Sequence, residues 1–113
     1  DILVQIGDSG GSETIGYIST SAQLSGTSYA DSTVGFIIAR FNAPDIVSGH
    51  MVLTLLNSST FLWVGSHSTK TNTAGGQDGG GDKALSAELT QVTITRTGTD
   101  TFNAGSVNIM YIG

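Results

Sequence analysis

Four groups of residues in this chain have the types that chemistry needs. Gly7-Asp8-Ser9-Gly10-Gly11 sets a serine between glycines and beside an aspartate, the setting of a nucleophilic serine. Asp45, Ser48 and His50 put acid, nucleophile and base types within six positions. His50 and His67, with Asp78 and Asp82, offer ligands to a metal. Trp63, His67, Lys70, Asn72, Gln77 and Asp78 combine an aromatic face with hydrogen-bond donors and acceptors, as a glycan or protein receptor site requires.

Spacing argues against the first three. The Gly7–Gly11 motif matches the nucleophile motif of chymotrypsin-like proteases, but there the histidine and aspartate precede the serine. Only six residues precede Gly7. The Gly-Asp-Ser block of lipase-like esterases also follows an N-terminal strand, yet those enzymes need a late Asp-x-x-His that is missing here. The motif reads as a turn. A triad is assembled from separate elements, so Asp45, Ser48 and His50 read as a loop leading into a strand. Gly79-Gly80-Gly81 separates Asp78 from Asp82 without the alternating acidic spacing of a calcium loop. The same glycines lack the Lys-Ser/Thr of a phosphate loop. No catalytic residue, metal or cofactor is expected.

The elements that must position the fourth group read as strands. Residues 2–6 are a short apolar strand, and 7–12 a turn-rich loop. Residues 14–20 read as a strand with Ile15 and Tyr17 on one face, and 21–32 as polar and irregular. Residues 34–41 are a strong strand broken after its end by Pro44, the single proline. Residues 50–56 are apolar on both faces, 57–60 form a hairpin-like turn, and 61–64 return as a strand. Residues 65–82 read as one long polar loop, and loops of that length are usually functional. Val92 and Ile94 alternate with threonines as a half-buried strand does. A turn over 97–100 then leads to a second apolar strand from Val107 to Ile112, so that a hairpin closes the fold.

This pattern predicts one all-β domain over residues 1–113. The expected fold is an antiparallel β-sandwich, jelly-roll-like, of about eight strands. Gly, Ser and Thr number 16, 14 and 15, which starves helices. Three strands are apolar on both sides, although a sandwich strand normally shows water one polar face. Loops can cover the outward Ile37, Phe41, Val52 and Leu56; the stronger reading is that one sheet packs on sister subunits. Trp63 either packs in the core or presents its ring to a sugar. The loop from 65 to 82 is either solvated chain or the receptor contact.

Composition sets further limits. The net charge is −5 with four basic residues, so no basic face exists for nucleic acid or anionic lipid. Cysteine is absent, which removes disulfides and thiolate metal sites. No apolar run reaches the roughly 18 residues of a membrane span. Asp1 in place of a start methionine reads as a processed chain or excised domain.

One stretch carries a family resemblance. The run from Gly98 to Tyr111, GTDTFNAGSVNIMY, with Lys83-Ala84-Leu85-Ser86 before it, resembles the closing segment of tailed-bacteriophage tail-fibre and receptor-binding proteins. Trp63-Val64-Gly65-Ser66 and the glycine-rich stretch after it fit the same pattern. The resemblance implies a compact all-β tip on a trimeric virion fibre. Its partners would be sister chains of a homotrimer, other fibre proteins and a host cell-surface glycan or protein. It implies no enzyme, no nucleic acid and no membrane insertion. The second reading is a structural virion domain, a capsid decoration or trimerisation module without receptor affinity.

Overall fold

A computed structural model describes residues 1–41, 44–72, 75–98, 102 and 105–112. The described residues form nine strands and no helix: β1 (Ile2–Asp8), β2 (Gly11–Ser12), β3 (Ile18–Gln23), β4 (Tyr29–Ser32), β5 (Phe36–Ala39), β6 (Val47–Asn57), β7 (Leu62–Thr71), β8 (Gly76–Ala84) and β9 (Gln91–Arg96). They make two antiparallel sheets packed as a β-sandwich. In the first sheet, β1 is central. β9 runs along one side of it from Ile2 to Gly7, and β5 and β2 share the other side. The second sheet has the order β4-β3-β8-β7-β6.

The apolar runs of β1 and β5 went inside. β1 buries residues on both faces. Val4 and Ile6 meet Tyr17, Phe36 and Leu85 in the core. Met51, Leu53, Phe61 and Trp63 of the second sheet's side close over this cluster, half-buried. The Tyr17 and Phe36 rings meet edge to face, 5.2 Å between centroids. The buried Tyr17 hydroxyl accepts from Ile6 N and donates to Glu13 O at 2.7 Å, so its polar end is satisfied.

Several expectations needed correction. Residues 14–20 are not one strand: β3 starts at Ile18, Tyr17 is buried, and Ile15 is 73% exposed. Residues 21–32, expected to be irregular, hold the end of β3, a turn closed by Gln23 N donating to Ser28 O, and β4. Of the four residues assigned to an outward face, Ile37 is buried within the chain and Phe41 half-buried, while Val52 and Leu56 are exposed. The turn at 57–60 is present, with Asn57 Oδ1 accepting from Ser59 N and Thr60 N. Gly98 takes a φ of 83°, as the expected turn requires. Thr99 and Asp100, like Asn42, Ala43, Thr73, Ala74, Thr101, Asn103, Ala104 and Gly113, lie outside the described residues.

The largest correction concerns residues 65–82. They are not a loop but most of β7 and β8, paired from Leu62↔Ala84 to Lys70↔Gly76. The cause is an inner face that is polar instead of apolar. Ser19, Ser21, His67, Thr69, Thr71 and Gln77 are all buried there. Ser19, Thr69 and Gln77 meet the backbone of β5 and of Arg40 just after it. Ile37 N donates to Ser19 Oγ at 2.9 Å, Thr69 Oγ1 donates to Ile38 O at 2.6 Å, and Arg40 N donates to Gln77 Oε1 at 2.8 Å. Gln77 Nε2 returns a bond to Arg40 O. These side chains satisfy backbone groups that the first sheet leaves over, so polar residues occupy an interior position without an orphaned partner.

The C-terminal strand was also expected and is not there. Residues 105–112 lie in no strand, and Ile109, Met110, Tyr111 and Ile112 are 70–96% exposed. Alternating apolar residues make a segment competent to pair. They do not say which edge accepts it, and a strand without a partner edge has no hydrogen bonds to hold it.

Candidate functional site

Strand alternation divides the six receptor candidates. On β7, Trp63 and His67 point inward while Lys70 points out; on β8, Gln77 points inward and Asp78 out. His67 and Gln77 are 6% and 2% exposed, so neither can touch a receptor. Trp63 is half-buried against the core cluster, which resolves its two readings in favour of packing. Lys70, Asn72 and Asp78 are exposed. Asn72 is at the same time structural: its Oδ1 accepts from Ile46 N at 2.8 Å, and its N donates to Ile46 O.

His67 makes a contact the sequence did not announce. Its Nε2 lies 2.9 Å from Ser21 Oγ, across the intervening β8. The register explains the reach. Ser21, Gly79 and His67 form one row over β3, β8 and β7. A Cβ on Gly79 would stand 2.7 Å from His67 Cε1 and 2.0 Å from Thr20 O, so only glycine leaves the space. The glycine stretch is thus a sheet centre cut thin enough for a serine and a histidine to meet beneath it. A serine–histidine pair at this distance is the first half of a nucleophile–base arrangement. Here Ser21 is 0% exposed, and no substrate can reach it. Burial pushes the His67 pKa down, and the Asp78 carboxylate on the other face pulls it partly back up. The imidazole is therefore kept neutral, fit for one internal hydrogen bond.

The Gly7–Gly11 motif is a tight turn between β1 and β2. Asp8 Oδ1 accepts from Gly10 N at 2.8 Å, the side-chain-to-backbone bond that closes such turns. Asp8 Oδ2 takes a 2.5 Å contact from the Ser86 hydroxyl. Ser86 also lies 2.9 Å from Glu13 Oε2 and donates its N–H to the same oxygen. Glu13 Oε1 pairs with the buried Lys83 Nζ at 2.8 Å. The Lys83 hydrogen bond and the Ser86 N–H hold the Glu13 carboxyl well below its usual range, at about 2. The nucleophile-like motif is therefore half of a clamp between the β1–β2 turn and the chain after β8. Among the described residues, no three His, Asp or Glu side chains gather as a metal would need.

What remains open to a ligand is the outer face of the second sheet. Directly paired residues share a face. One row carries Tyr29, Ala22, Asp78, Ser68 and His50, and the next Asp31, Thr20, Gly80, Ser66 and Val52. Small residues hold the middle, and charged or aromatic ones the flanks. An open groove of about 510 Å³ runs over Ile18, Thr20, Asp31, Gly80 and Asp82. A second, of about 360 Å³, lies over Ser48, His50, Ser68 and Lys70. Tyr29, 65% exposed, offers a ring at the margin. The face can present carboxylates, hydroxyls, one ammonium and one imidazole to a flat polar ligand. Tyr29, Asp31 and His50 were absent from the sequence-derived set, because β4 was read as irregular and β6 as apolar on both sides. No protein family, no curated protein and no solved structure matches this chain.

Proposed function

We propose that this chain is a non-enzymatic virion adhesion domain, the tip of a trimeric phage tail fibre that binds a host surface glycan or protein. The observation that supports the reading is the outer face of the second sheet. Polar side chains there stand on rigid paired strands beside two open grooves. A rigid polar platform with a peripheral aromatic suits a sugar, whose hydroxyls pair with carboxylates and whose apolar face stacks on a ring. Lys70 and Asp78 remain contact residues from the first set, and Tyr29, Asp31 and Asp82 join them. The resemblance of the C-terminal run to tail-fibre proteins supplies the virion.

The test is adsorption. The purified domain is assayed on host cells and on a glycan panel beside the variants Tyr29→Ala, Asp82→Asn and Lys70→Ala. Binding is expected to fall at least tenfold in one or more of them, about 1.4 kcal/mol. Circular dichroism of these variants is expected to match the parent. Undiminished binding in all three would move the site off this face.

A structural virion module is the second reading. Val52, Leu55 and Leu56 on β6 and the apolar residues of 105–112 favour it, since exposed apolar clusters mark protein contacts. Domain that coats no cell and no glycan, yet incorporates into particles, would decide for it.

A further inference from the structure

The two sheets differ in how their edges are treated. Native edges are blunted by being short, by charge, by proline or by cover. β2 has two residues, and β4 has four and carries Asp31. β5 has backbone groups bonded by Ser19 and Thr69, and Gln77 bonds Arg40 at its end. β9 has six residues and ends on Arg96. β6 has none of these protections. It is eleven residues long, VSGHMVLTLLN, without Lys, Arg, Asp, Glu or Pro. It pairs only with β7 among the described residues. Val52, Leu55 and Leu56 on it are 42–61% exposed.

The same molecule holds an unpaired strand-like segment. Residues 106–112, SVNIMYI, carry no charge and lie in no strand. Val107, Ile109, Met110, Tyr111 and Ile112 expose 62–96% of their surface. Exposed to that extent, these five side chains present on the order of several hundred Å² of apolar surface, the size of patch that marks a protein contact. One partner of a standard protein interface contributes about 800 Å². A neutral donor and a neutral acceptor edge can pair without desolvating a charge.

We infer that residues 106–112 of one chain add as a strand to the β6 edge of a second copy of this chain. Both halves stand open in the single chain, which has not closed on itself. The donor and the edge are different surfaces, so a single contact leaves one donor and one edge free, and assembly continues head-to-tail until it closes. Such contacts generate rings when the rotation closes, and the trimer of the proposed function is that ring with three members. The inference rests on that oligomer and is independent of receptor binding.

The test uses the full 113-residue chain and two single variants, Tyr111→Asp in the donor and Val52→Lys on the edge, each at an exposed position. Native mass spectrometry of the parent is expected to show three chains. Each variant alone is expected at the 11.6 kDa of one chain, with an unchanged circular dichroism spectrum. Mixed together, the variants are expected to form a two-chain species, because one keeps its edge and the other its donor. Amide exchange along β6 is expected to slow at least tenfold in the parent and the mixture relative to Tyr111→Asp alone. A trimer that survives Tyr111→Asp or Val52→Lys overturns strand donation while the trimer stands. Variants that stay monomeric when mixed overturn the head-to-tail contact. A parent that is monomeric at tens of micromolar overturns both.

Discussion

Gly79 decides more than its missing side chain suggests. Its Cβ would overlap Thr20 O and press on the His67 ring. Overpacking of this kind costs roughly 1–3 kcal/mol, and here backbone must move as well. Gly79→Ala is therefore expected to lose about 2 kcal/mol or more by urea unfolding. Glu13 gives a second expectation at this scale. Its folded pKa, about 2, lies below the ordinary 4.5 because Lys83 and Ser86 N–H stabilise the carboxylate. A depressed carboxyl contributes stability above its unfolded value and loses it as pH falls. Stability should drop between about pH 4.5 and 2, and Glu13→Gln should flatten that drop. Thermal melts across this range, run on both proteins, would measure the difference.

Among the elements, the β7–β8 hairpin carries the argument. A solvated loop of the kind read for residues 65–82 could have residues 71–81 replaced by a short Gly-Ser linker at a cost of roughly 1 kcal/mol. Thr71 and residues 76–81 belong to two paired strands, and Gln77 among them bonds both polar backbone groups of Arg40. Replacement is now expected to abolish the fold, seen as loss of the β signal in circular dichroism, instead of sparing it. The reason the sequence misled is physical. Periodicity finds strands through apolar alternation, and it succeeded for β1 and β5, whose buried residues include Val, Ile and Phe; β9 alternates as read, but its Val92 and Ile94 stay 37% exposed. On β7 the alternation is Ser-His-Ser-Thr-Lys-Thr, exposed and buried by turns, but every residue is polar. The site shared that fate. Lys70 and Asp78 were legible as accessible groups. His67 and Gln77 were not legible as internal ones, because burial there depends on β5, more than thirty residues away in the chain.

For the whole molecule, the polar layer between the sheets has a calorimetric consequence. Unfolding normally raises heat capacity by about 12–15 cal/mol/K per residue, the balance of apolar exposure, which adds, and polar exposure, which subtracts. In this sandwich the apolar core around Val4, Ile6, Tyr17, Phe36 and Leu85 lies beside a hydrogen-bonded layer of buried serine, threonine, histidine and glutamine. Its unfolding should therefore show a smaller heat-capacity step than its length implies, measured by scanning calorimetry over a series of pH values. A small step flattens the curve of stability against temperature. The domain should hold its fold nearly as well in the cold as in the warm.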